Sequence, residues 1–154
     1  MRHWLLKTEP STFGVESLER APRRTTSWDG VRNFQARNML RDEMQRGDQA
    51  FLYYSSCEVP GIAAIVSVTR EGYPDATAFD RNDDHFDPDS KREAPRWYAV
   101  DVKLERRLSR IITLEELRAH AAKELRGMVL LRPGNRLSVS PVEAAHWKFI
   151  LSLE

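Results

Sequence analysis

Apolar positions fall in short bursts along this chain, and the spacing within each burst points to an element. Trp4-Leu5-Leu6 is an unbroken apolar run that stops at Lys7-Thr8-Glu9-Pro10. It reads as a buried first strand, because proline interrupts further pairing. Gly14 opens a short helical stretch from Val15 to Glu19, with Val15 and Leu18 on one face. Ala21 to Ser27 is polar and basic and reads as a loop, and Trp28-Asp29-Gly30 as a turn. Asn33 is placed to cap a helix running to about Met44, whose residues Ala36, Leu40 and Met44 recur every four positions as a core-facing stripe. Gly47-Asp48 ends it, and Ala50-Phe51-Leu52-Tyr53-Tyr54 follows as an aromatic-rich strand.

The next run, Ile62 to Val68 after Pro60-Gly61, is apolar at every position but Ser67 and predicts a strand covered on both faces. Gly72 to Pro95 is long, acidic and irregular, and segments of that length in small domains usually carry function or are disordered. Trp97 to Leu104 alternates as a strand should. Thr113-Leu114-Glu115-Glu116 has the form of a capping box, starting a helix with Leu114 and Leu117 inward. Leu137-Ser138-Val139 reads as a short strand. Ser140-Pro141-Val142-Glu143 reads as a second capping box, with proline in the first helical position. The final helix would turn Ala144, Trp147, Ile150 and Leu151 inward. Strands bracketed by short helices, without repeat or linker, predict one α+β domain over residues 1–154.

Composition removes several function classes. The 24 Lys and Arg nearly balance the 23 Asp and Glu, so bulk charge cannot drive nucleic-acid binding, although a local basic face can. The single cysteine, Cys57, allows neither an internal disulfide nor a cysteine zinc site. No apolar run approaches the roughly 20 residues of a membrane span, and Met1-Arg2-His3-Trp4 has no signal-peptide pattern. A reduced compartment is expected, cytoplasmic in a bacterium or nuclear in a eukaryote.

Candidate chemistry is sparse. His3, His85, His120 and His146 form no ligand pair by spacing and read as surface histidines. Asp80 to Asp87 superficially resembles a calcium loop, but its sixth position is His85 and its twelfth Lys91, where glycine and glutamate are required. Cys57 has no histidine near it in sequence, and no glycine-rich phosphate motif occurs. Neither a metal nor a cofactor is expected. What remains is aromatic and basic. Trp28, beside the Gly30 turn, either stacks on a base or fills a gap between helix and sheet. Arg23, Arg24, Arg32 and Arg37 either contact phosphates along one rim or sit on a solvated surface. Asn33 either caps its helix or bonds a base edge, and Trp97 is better suited to core than to ligand.

These residues carry a family resemblance. Trp4-Leu5-Leu6-Lys7-Thr8-Glu9-Pro10 resembles the opening of EVE domains, and Trp28 to Asn38 resembles their most diagnostic stretch. Phe51 to Cys57, Pro60 to Ala63, Asp75 to Asp80, Phe86 to Ser90, Pro95 to Trp97 and Val100 to Val102 extend the likeness over nearly the whole chain. The chain looks like a stand-alone EVE protein, similar to the thymocyte nuclear protein family and its bacterial relatives. Thr8 and Gly14 stand where that family commonly has serine.

The resemblance implies a PUA-like mixed or antiparallel β-barrel surrounded by short helices. It further implies a non-catalytic module, related to YTH domains, that holds a modified nucleobase of DNA or RNA in an aromatic pocket. By position, Trp28 matches the pocket aromatic. Lys7, Asn33, Tyr54, Ser55, Gly61 and Ile62 match segments facing the pocket, and the Asp75–Asp80 loop with Phe79 matches its lid. Val31 and Trp97 complete the expected pocket. A base must leave the stack before its added group can be inspected, and inspection needs a stacking surface, edge donors and acceptors, and an apolar spot, but no nucleophile. Two other readings stay open. One is an enzyme acting on a nucleotide or small heterocycle through Cys57 or the Asp80–Asp89 carboxylates. The other is a protein-interaction adaptor using the aromatic surface.

Overall fold

The computed structural model describes every residue from Met1 to Glu154. Six strands form one sheet: β1 (His3–Thr8), β2 (Thr25–Trp28), β3 (Gln49–Tyr54), β4 (Gly61–Pro74), β5 (Tyr98–Thr113) and β6 (Val139–Val142). Their order is β2-β5-β4-β3-β1-β6. Only the β1–β3 pair is parallel, so the sheet is mixed, as expected for the α+β class. The end strands β2 and β6 share no ladder, so hydrogen bonds do not close the sheet into a full barrel. Helices α1 (Val15–Arg20), α2 (Phe34–Asn38), α3 (Leu114–Ala119) and α4 (Ala144–Leu153) pack around it.

The sheet is covered on both faces. Trp4, Leu6, Ala50, Leu52, Ala64 and Val66 join Val15 and Leu18 of α1 and Ala36 of α2 in one core. Their strand neighbours Leu5, Phe51 and Ile65 join Leu117 of α3 and Trp147 and Ile150 of α4 in a second. Successive side chains of a strand point to opposite faces, so two-sided burial requires the continuous apolar runs that mark β1, β3 and β4.

Several local predictions shift. Thr25–Trp28 is an edge strand rather than part of a loop: it pairs only with β5, and its β-branched threonines suit a strand with one wet side. β4 and β5 run on to Pro74 and Thr113, where the β4–β5 ladder continues through Tyr73 opposite Ala99 and Ile62 opposite Ile112. Ser140 and Pro141 belong to β6, with Pro141 opposite Trp4, and α4 begins only at Ala144. Proline is tolerated there because β6 is an edge strand, where a missing N–H costs no ladder bond. Ala144 is exposed and Leu151 only half-buried, so α4 is anchored chiefly by Trp147 and Ile150. The expected long second helix is α2 plus a single π turn at Met39–Glu43, which still buries Ala36, Leu40 and Met44. No helix is long and apolar enough to cross a membrane.

Candidate nucleobase cleft

A cleft of about 440 Å³ opens in the gap between the two ends of the sheet. Lys7 and Thr8 at the end of β1, with Ser138 just before β6, line one side. Thr26, Ser27 and Trp28 of the opposite edge strand line the other. Thr12, Phe13, Asp29 to Arg32 and His85 complete the lining. The volume is typical of small-ligand sites.

Its apolar floor is Trp28, Val31 and Phe13. Trp28 is 8% exposed and belongs to the core, its ring set edge-on to Phe13 at 6.0 Å. Trp28 therefore fills the core, one of the two roles expected of it, and its remaining surface lines the cleft.

The Trp28–Arg32 turn is held by one buried carboxylate. Asp75 is 1% exposed, and its Oδ2 accepts from the Gly30 N–H at 2.9 Å and from Arg32 Nη1 at 3.0 Å. Its Oδ1 accepts from the backbone and hydroxyl of Thr77 at 2.9 and 2.6 Å. Burial pushes this carboxyl up, but the bonds from Thr77, Gly30 and Arg32 outweigh it and hold Asp75 below the usual carboxylate range.

Arg32 spends all its donors internally. Nε and Nη2 donate to the His85 carbonyl at 3.1 and 2.7 Å, and Nη2 also to Thr77 Oγ1. Nη1 donates to the Val31 carbonyl besides Asp75. These bonds match the five N–H groups of a guanidinium. Its plane also lies 5.3 Å from the centre of the Trp97 ring. Arg32 thus ties the acidic loop to the turn, and a phosphate contact would have to displace one of these bonds. At Gly30, φ is +77°, and a Cβ would meet the His85 ring at 2.8 Å. Glycine is required there by both the backbone and the close approach.

Two charged groups in the cleft have no ion-pair partner. Lys7 is half-buried, has no ion-pair or hydrogen-bond partner for its ammonium, and is pushed below the usual lysine range by desolvation. The Asp29 carboxyl is raised above its ordinary value by desolvation, with Asp75 and Asp83 adding to the rise and His85 and Ser27 opposing it. The signal that would have singled out Asp29 in sequence was weak, since an aspartate before a glycine reads first as a turn residue.

The other expected site residues lie elsewhere. Asn33 caps α2, its Oδ1 accepting from the Ala36 N–H at 2.9 Å. The Tyr54 hydroxyl accepts from the Val15 N–H at 2.9 Å, beside a separate cavity of about 230 Å³. Ser55 hydrogen-bonds the Thr8 carbonyl from its backbone N–H, and Ile62 is fully buried in the second core. Gly61 lies against the backbone of Ile112 and Thr113, too close for any side chain. Phe79 carries the Arg92 guanidinium at 4.8 Å. Trp97 is buried, stacked on Phe34 at 4.7 Å, and donates from Nε1 to Asp87 at 2.6 Å.

Of the remaining arginines, Arg24 donates to the carbonyls of Leu104 and Glu105, Arg37 donates to the Arg96 carbonyl, and Arg23 is exposed. The acidic loop uses Asp80, Asp83 and Asp87 to accept from backbone N–H groups two residues on. No three His, Cys, Asp or Glu side chains are grouped to hold a metal ion. His146 is not a surface residue: it is 5% exposed, and its Nδ1 has no partner.

The EVE domain pattern matches residues 2–153. The chain belongs to the EVE domain family. Human thymocyte nuclear protein 1 is 44% identical over 167 residues, covering 99% of this chain and 73% of the relative. Among solved structures, human THYN1 in complex with DNA containing 5-methylcytosine superposes with a TM-score of 0.93 at 43% identity, covering 99% of this chain and 97% of that one. A Pseudomonas syringae protein superposes with a TM-score of 0.92 at 40% identity, covering 98% of each chain. The mixed sheet with its short helices is therefore the PUA-like EVE fold, with its cleft beside the family's diagnostic Trp28–Asn38 stretch.

Proposed function

We propose that this EVE domain binds DNA and recognises a modified cytosine that has left the base stack and entered the cleft beside Trp28. The observation that carries the reading is near-complete superposition on human THYN1, which was crystallised with 5-methylcytosine-containing DNA. The cleft supports it. Trp28, Val31 and Phe13 offer apolar surface for a pyrimidine ring and its methyl group. Lys7, Asp29 and the hydroxyls of Thr8, Thr12, Ser27 and Ser138 offer hydrogen bonds to the base edge. Flipping costs a few kcal/mol, and such contacts must offset it. With near-neutral total charge, affinity would depend more on the pocket than on phosphate contacts, giving a shallow salt dependence.

The test is a titration of purified protein at fixed salt against single- and double-stranded DNA and RNA carrying one modified or unmodified cytosine. Preference for a modified cytosine in DNA, weakened by Lys7→Met, is expected. Equal, weak binding to every oligonucleotide would overturn the reading.

A further inference from the structure

A methyl-sensing surface alone cannot tell 5-methylcytosine from thymine, because both carry the same methyl group on the same ring. They differ along the hydrogen-bonding edge, where cytosine presents its 4-amino donor and thymine an oxygen acceptor at that position. Next to it, N3 is an acceptor in cytosine and carries a proton in thymine.

We propose that Asp29 and Lys7 read this edge as a polarity pair, Asp29 accepting from the 4-amino group and Lys7 donating to N3 or O2. The inference rests on the reader function proposed above and names the group that sets its specificity. A carboxylate only accepts and an ammonium only donates, so neither can rotate to suit the wrong base. The cleft hydroxyls of Thr8, Thr12, Ser27 and Ser138 both donate and accept, and do not impose a polarity. The other charges are engaged elsewhere: Asp75 receives Gly30, Arg32 and Thr77, Arg32 has no donor left, and the His85 ring lies against Asp83 at 3.2 Å. Asp29 and Lys7 alone combine a fixed polarity with free bonding capacity. Lys7 is half-buried with no partner for its ammonium, and Asp29 lines the same cleft with only the Ser27 side chain beside its carboxylate, so both keep bonding capacity that a ligand can take up. Thymine in the same pose would set its O4 against the carboxylate and its N3–H against the ammonium.

The experiment compares duplexes that differ at one position, 5-methylcytosine or thymine, each opposite guanine, at neutral pH and fixed salt. Wild type is expected to prefer 5-methylcytosine by roughly 5- to 150-fold, although the thymine mismatch is the easier base to flip. In Asp29→Asn the amide can turn its NH2 toward O4, and the preference should shrink by roughly 5-fold or more, leaving only the part that Lys7 sets. Asp29 is exposed, and circular dichroism with thermal melting identifies any loss of fold; Asp29→Ser then reads the same ratio. Wild type that binds both duplexes equally, or an Asp29→Asn or Asp29→Ser protein that keeps the full preference, overturns this assignment and leaves the reader function standing. Wild type that binds no oligonucleotide in the wider panel overturns the reader function itself.

Discussion

The Arg32 guanidinium and the buried Asp75 carboxylate meet at 3.0 Å, 43 residues apart in sequence, and that pair sets the shape of the cleft mouth. Asp75 simultaneously holds the Gly30 N–H, while Arg32 reaches on to the His85 carbonyl. The turn carrying Asp29 and the loop carrying His85 are thereby tied to one anchor.

Removing the anchor should cost more than a surface ion pair. Asp75→Ala leaves a mostly buried guanidinium unpaired and the Gly30 and Thr77 donors unmet. A loss of about 3 kcal/mol is expected, the low end for breaking a buried pair, because the Arg32 side chain keeps 21% exposure. Urea denaturation followed by tryptophan fluorescence measures it, and a loss below about 1 kcal/mol would mean the pair behaves like a surface one.

The two aspartates of the turn should respond to pH with opposite sign. Asp75 is depressed in the folded state, so it stabilises the protein above the ordinary carboxylate pKa of about 3.9, and that stability drains as pH falls through its lower folded value. Asp29 is raised, so its contribution is greatest when it is protonated and is lost as pH rises through its folded value. Asp75→Asn should therefore destabilise at neutral pH and flatten the acid limb of the stability curve. Asp29→Asn should stabilise slightly at neutral pH, by no more than about 0.5 kcal/mol after solvent screening. Asp75, Asp83, His85, Lys7 and Arg32 are the charged or titratable groups around Asp29, and melting curves from pH 3 to about 8 separate the two variants.

Gly30→Ala tests the close approach of turn and loop. The left-handed backbone alone should cost about 1–2 kcal/mol, and the new methyl must also displace the His85 ring. Adding His85→Ala should return the steric part but not the backbone part. If the double variant is no more stable than Gly30→Ala, the His85 ring is free to move and the contact is not a constraint.

Trp28 needs a conservative replacement. Because it is buried against Phe13 and the core, Trp28→Ala should cost about 3–5 kcal/mol and confuse unfolding with lost binding. Trp28→Phe should keep the fold with a smaller loss while reducing stacking on a bound base. Comparing melting temperature with DNA affinity for both variants separates the roles. Unchanged affinity in a folded Trp28→Phe would show that the indole face is not the stacking surface.

Sequence alone determined those features that are local. The apolar runs of β1, β3 and β4 followed from their burial on two faces. The caps at Asn33 and Thr113 followed from side chains that need only reach the helix they start. The family's diagnostic stretch begins with Trp28 to Arg32, which line the cleft. Tertiary structure decided the rest. Thr25–Trp28 looks like a loop until β5 supplies its ladder, and Ser140-Pro141 looks like a helix start until β1 takes it as an edge strand. Arg32 reads as a phosphate ligand or a solvated surface residue until partners 43 to 53 residues away, with the neighbouring Val31 carbonyl, claim its donors. Tyr54, Gly61 and Ile62 lie in stretches matched to the pocket, yet a strand divides its side chains between two faces and neighbours, and these three are used in packing. Asp29 and Lys7 show the reverse. Nothing within a few residues of either one reveals that it lacks an ion-pair partner, because a charge with spare bonding capacity becomes visible only when the whole chain has closed around it.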